Sequence, residues 1–153
     1  MQKRRSGTIT RAEKARQLFL DGYNCAQAVA GAFADLLPVE YDALMKMVSS
    51  FGGGMGRMRE VCGAVSGMLL IAGYLFGYSD PQAKEEKTQH YRLIQQLAEE
   101  FRKETGSIIC RELLGSAVGK PTSVPEQRTL QYYKKRPCAE IVFLAAKILE
   151  DRL

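Results

Sequence analysis

The chain has 153 residues, 46% of them hydrophobic and 25% charged, which suits one domain with its own core and excludes a chain too polar to fold. Nothing in this length calls for a disulfide-stapled scaffold, so the four cysteines are expected as free thiols or metal ligands. The formal charge of +5 would suit an anionic partner, but the excess is scattered and lacks an aromatic-interleaved basic motif, so nucleic acid is not the expected partner.

The start, Met1 to Gly7, is basic and has no apolar stretch of the secretory kind, so residues 1–9 read as a disordered basic tail on a cytoplasmic protein. Residues 10–153 read as a single helical domain. Thr10-Arg11-Ala12-Glu13 fits a capping box and opens a first helix through about Leu20, ended by Asp21-Gly22. Asn24-Cys25-Ala26-Gln27 is a weaker box, predicting a second helix to about Leu36 with Cys25 as its first residue. Pro38 marks a turn, and Tyr41 to Ser50 carries Leu44, Met47 and Val48 at helical spacing.

Four glycines then stand among the five positions from Gly52 to Gly56, which disfavours helix. The run from Val61 to Tyr78 is uncharged and long enough to raise the question of a membrane span, for which about 17–25 residues are needed. No second such segment accompanies it, so a central helix buried among other helices is expected and no membrane span. Asp80-Pro81 predicts the start of the longest helix, running to about Glu104 with Ile94, Leu97, Ala98 and Phe101 inward, until Gly106 stops it. Ser107 is positioned to cap a short helix with Cys110 as its third residue. Gly119, Pro121 and Pro125 mark a loop, and a last helix starts near Pro137-Cys138. No stretch alternates as a strand would, so the expected fold is all-α: a compact bundle or orthogonal array of five to six helices around the central small-residue helix.

On this reading Cys25, Cys62, Cys110 and Cys138 all fall in the first turns of four different helices. Orphan N–H groups and the positive end of the helix dipole meet there and favour a thiolate or another anion. Arg59, Arg111 and Arg136 lie close in sequence to three of them. With no C-x-x-C, a site has to assemble in three dimensions. Four converging thiols would suit zinc or an iron-sulfur cluster, with backbone N–H groups of Gly52, Gly53, Gly54 and Gly56 and the side chains of Arg59 and Arg111 in support. The alternative is a set of redox-active pairs without metal, with Cys62 as the candidate reactive thiol. A third reading, of a different class, is a non-catalytic helical interaction module whose cysteines are buried as small hydrophobes.

Gly22-Tyr23-Asn24-Cys25-Ala26-Gln27, Phe51 to Gly56, Cys62-Gly63-Ala64-Val65-Ser66-Gly67, Gly106 to Gly115 around Cys110, and Cys138, taken together in order, resemble the C_GCAxxG_C_C family of putative redox-active proteins. The resemblance covers about residues 10–150 and places all four cysteines on the family pattern, although this chain reads Val61-Cys62-Gly63-Ala64 where the family name reads glycine, cysteine, alanine. It implies a small prokaryotic protein with a redox or metal-linked function and an unidentified redox partner. It supplies neither substrate nor reaction, and it leaves enzyme status and homo-oligomer formation open. His90, the only histidine, reads as a core or boundary residue, and the methionines as core filler.

Overall fold

The computed structural model describes residues 8–115 and 118–153, so most of the expected basic tail lies outside the described residues. The protein is all-helical. Apart from the four-residue turn Gly52–Met55, whose Gly53 and Gly54 are left-handed and not helical, eight α-helices are described where five or six were expected: α1 Arg11–Leu20, α2 Cys25–Gly31, α3 Tyr41–Ser49, α4 Gly63–Phe76, α5 Lys84–Thr105, α6 Cys110–Leu114, α7 Leu130–Lys135 and α8 Cys138–Glu150. The helix without a forecast is α7. It is six residues long and buries none of them fully, only Tyr132 and Tyr133 packing on the edge of the core, so its sequence shows no repeating apolar face; Thr129 Oγ1 starts it by accepting from the Tyr132 N–H.

Local chemistry explains most boundaries. Thr10 and Asn24 both form complete capping boxes, with Glu13 and Gln27 reaching back to the cap backbone. The second helix ends at Gly31, before Leu36, and Ala34–Leu36 continue as a 3-10 turn. The long helix starts at Lys84 and not at Pro81, because Asp80 Oδ1 accepts the Gln82 N–H and Asp80 O accepts the Ala83 N–H, closing a turn first. It ends at Thr105 as forecast, with Gly106 at φ 93° in the left-handed region that only glycine enters cheaply. Cys110 opens α6 as its first residue and not its third; Ser107 Oγ instead accepts from the Ile109 N–H.

The core gathers Phe19, Phe33, Leu44, Met68, Ile71, Leu97 and Phe101, all fully buried, each contributing about 1.5–3 kcal/mol of apolar transfer. Leu97 and Phe101 are the buried residues of α5, with Ile94 and Ala98 at its boundary. Helix α4 runs through this core against α2, α5 and α8. Its close approach to α2 depends on Gly67, where a Cβ would stand 2.7 Å from the Ala26 carbonyl oxygen. Among the described residues, no helix is long and apolar enough to cross a membrane. Of the methionines, Met45 and Met68 are core, whereas Met47 and Met58 are exposed and fill no gap.

Candidate functional site

Four helices begin at one cavity. Cys25, Cys110 and Cys138 are the first residues of α2, α6 and α8, and Cys62 is the cap residue of α4. All four thiols line the same space of about 300 Å³. Cys62, Cys110 and Cys138 are buried, Cys25 half-buried, and all are free thiols.

The glycine stretch forms one wall of this cavity in a way composition alone did not specify. From Gly53 to Arg57 five consecutive residues have left-handed φ, and Arg59 follows at 62°. For Met55, Arg57 and Arg59 this conformation costs about 1–2 kcal/mol each, so the surrounding packing has to hold the turn in place. Glycines are needed here for space as well. A Cβ on Gly54 would lie 2.6 Å from Cys110 Cβ, and one on Gly63 would lie 3.2 Å from Cys25 Cβ. Gly52, Gly53, Gly54 and Gly56 all line the cavity, as expected.

Cys62 and Cys110 are tied to each other through main chain. Cys62 N–H donates to Ile108 O at 2.8 Å and Cys110 N–H to Glu60 O at 2.6 Å, around an isolated antiparallel bridge between Val61 and Ile109. Cys25 and Cys138 stand at the starts of two helices that pack together, and both line the cavity. The Cys25 proton is shared with Cys138, which holds the Cys138 thiol below its ordinary value and pushes Cys25 well above it. Burial opposes the effect at Cys138, while Arg136, Arg128 and Arg59 reinforce it. Burial pushes Cys62 up to about 12, against the pull of the Ala64 and Val65 backbone amides. It also raises Cys110, although Arg59 favours that thiolate. The expectation that every helix start would lower its thiol therefore holds in direction only at Cys138, where Cys25 is the first cause; Cys25 is raised first by Cys138, and Cys62 and Cys110 are raised first by desolvation.

Arginines dominate the remaining wall. Arg59 is 5% exposed; its Nη1 donates to Cys110 Sγ at 3.8 Å, and its Nε is buried without a partner among the described residues. Arg57, Arg59 and Arg136 converge on Glu126 Oε1, at 3.3 Å and 4.0 Å for the first two and in direct contact for the third. Arg128 donates to Phe19 O at 2.9 Å and Tyr23 O at 3.0 Å and stacks on Phe19. Four arginines against one carboxylate leave a formal excess of three positive charges. That excess shows at Arg57, held below the usual guanidinium range by burial first and then by repulsion from Arg59.

Arg111, expected near the site, pairs instead with Glu60 at 2.7 Å and does not line the cavity; neither does His90. Arg57, Glu126, Arg128 and Tyr132 line it although no sequence pattern points to them. Arg57 turns in from the left-handed stretch, and the other three arrive on residues 126–132, whose path carries no local signal. For zinc or an iron-sulfur cluster the donor chemistry fits, four thiols at one cavity, but the spacing does not: among the described residues, no three His, Cys, Asp or Glu side chains are grouped to hold an ion.

No curated protein and no solved structure matches the chain. A family model does, over residues 23–152, and its description reads "Putative redox-active protein (C_GCAxxG_C_C)". With all four cysteines and most of the chain inside that match, this protein belongs to the C_GCAxxG_C_C family.

Proposed function

We propose that Cys25 and Cys138 are a redox-active dithiol that cycles with a disulfide, Cys138 attacking and Cys25 resolving. The observation that carries this reading is that both thiols line one cavity from the starts of two packed helices, and the lowered Cys138 beside the raised Cys25 fits attack by the first and resolution by the second. The Cys138 thiolate displaces one thiolate from an incoming disulfide to form a mixed disulfide. Cys25 then displaces the second, leaving the Cys25–Cys138 disulfide and two reduced thiols, so two electrons pass from protein to substrate. Cys62, protonated at neutral pH, serves the site through its packing. Such a dithiol suits a reducing, cytoplasmic setting and an as yet unidentified electron partner.

Thiol titration with peptide mapping, before and after mild oxidation, tests the proposal. Two thiols are expected to disappear as a Cys25–Cys138 bond, in wild type and in Cys62→Ser but not in Cys25→Ser or Cys138→Ser. An unchanged thiol count in every redox state overturns it.

A second reading, in which all four cysteines hold a metal or cluster, is favoured by their opening onto one cavity. It requires the thiols to draw together relative to their present spacing. Anaerobic purification with metal analysis and visible absorption decides it: metal in stoichiometric amount, lost with any of the four Cys→Ser changes, supports the reading, and metal-free protein with a featureless visible spectrum rejects it.

A further inference from the structure

The arginine cluster asks for more negative charge than the chain supplies. Arg57, Arg59 and Arg136 share one carboxylate oxygen, that of Glu126, and Glu126 is itself half exposed on an extended surface segment. Arg59 is almost wholly buried, yet its Nε has no acceptor among the described residues. A desolvated guanidinium with an unused donor is an unfilled demand for an anion. Guanidinium forks match carboxylates in particular, as Glu126 demonstrates in place. The same cavity carries Cys25 and Cys138, and its volume, about 300 Å³, is that of a small-molecule site.

We infer that Arg57, Arg59 and Arg136 receive the carboxylate of a small disulfide, in the place Glu126 takes in the structure, and so select carboxylate-bearing low-molecular-weight disulfides for the Cys25–Cys138 pair. This rests on the dithiol reading above. The electron balance is unchanged: the substrate disulfide is reduced to two thiols and the protein dithiol is oxidised. Glu126 is then an internal competitor, which the substrate displaces from the arginines.

Single-turnover oxidation of the reduced protein by dithiodiglycolate, neutral hydroxyethyl disulfide and cationic cystamine tests the inference, each rate divided by that of the uncharged thiol 2-mercaptoethanol with the same disulfide. Dithiodiglycolate is expected to lead hydroxyethyl disulfide by about tenfold or more, with cystamine slowest, and high salt should shrink the lead. Glu126→Gln should widen it and Arg136→Gln should narrow it. Independently of redox chemistry, the non-reducible dianion thiodiglycolate should raise the Tm of wild type above the effect of neutral thiodiglycol, with the difference lost in Arg136→Gln. Equal normalised rates overturn charge selection while leaving the dithiol reading intact. Failure of all three disulfides to oxidise the pair overturns the dithiol reading, and the Tm comparison then still decides whether the arginines take an anion.

Discussion

Gly54 lies so close to Cys110 that a Cβ on the glycine would stand 2.6 Å from the cysteine's own Cβ and 2.8 Å from the Glu60 backbone nitrogen. Backbone cannot yield as a flexible side chain can, and φ at Gly54 is 73°. Gly54→Ala therefore combines left-handed strain with overpacking and should cost about 2–4 kcal/mol in urea denaturation. Gly73, in the middle of α4, is the contrast, because a Cβ there would meet nothing within 4 Å. Gly73→Ala should stabilise by about 0.5–1 kcal/mol through helix propensity.

Alkylation by iodoacetamide should follow the order of proton affinities at the cavity. Cys138, held below the ordinary thiol value by Cys25, should be modified first and should reach half its limiting rate at a lower pH than a free cysteine. Cys62, pushed up to about 12 by burial, should stay unmodified into mildly alkaline pH. Peptide mapping across a pH series checks both. In Cys25→Ala, which removes the donor, the Cys138 profile should move to higher pH, because Cys25 is its first stabilising influence.

Arg128 joins the segment carrying Glu126 to the end of α1 and the turn after it through two carbonyls, Phe19 O and Tyr23 O, and lies over the rings of Phe19, at 4.1 Å, and of Tyr132 in α7, at 5.1 Å. A lysine has one charged point where the guanidinium has a planar fork. Arg128→Lys should therefore lose most of the interaction, about 1–3 kcal/mol by denaturant melts, nearly as much as Arg128→Ala. A melt indistinguishable from wild type would assign the contacts no structural weight.

The acid limb of the stability profile should contain a contribution from Asp35. Arg11 binds both its oxygens, at 2.6 Å and 3.0 Å, and holds the carboxyl below its usual value near 3.8. A carboxylate lowered on folding adds stability that is complete above the unfolded value and disappears as pH falls through the folded one. Asp35→Asn should thus cost about 1 kcal/mol or less at neutral pH, as suits a solvent-exposed pair, and nothing once pH is below both values. Thermal melts at neutral and strongly acid pH measure the difference.

Helix starts were legible in sequence where a side chain cap announces them: Thr10 with Glu13, and Asn24 with Gln27, behave as local chemistry demands. Of the four cysteine helix starts only that of Cys25 has such a cap; the starts at Cys62, Cys110 and Cys138 carry no side-chain cap, and Cys110 stands two positions earlier in its helix than Ser107 as cap would place it. What could not be read was charge arriving from elsewhere. Arg59 reaches Cys110 across 51 positions, and Glu126 meets Arg57 across 69, contacts created by the folding of the chain and invisible to any local window. Desolvation is similarly global, which is why Cys62 at a helix start rises where the terminus alone would lower it. The glycine stretch announced an interruption but not its hand, because four glycines permit many conformations and only packing against Asn24 and Cys110 selects the left-handed one.

The two sulfur pairs sit on supports of different stiffness. Cys62 and Cys110 ride on strands of main chain bonded to each other at the Val61–Ile109 bridge, so their spacing is fixed by backbone. Cys25 and Cys138 head two packed helices with no main-chain hydrogen bond between them among the described residues, and such surfaces can slide by fractions of an ångström without breaking a backbone bond. The cavity thus has an anchored wall and an adjustable one, and the bond-making proposed at Cys25 and Cys138 falls on the side able to absorb the change in sulfur separation that disulfide closure imposes.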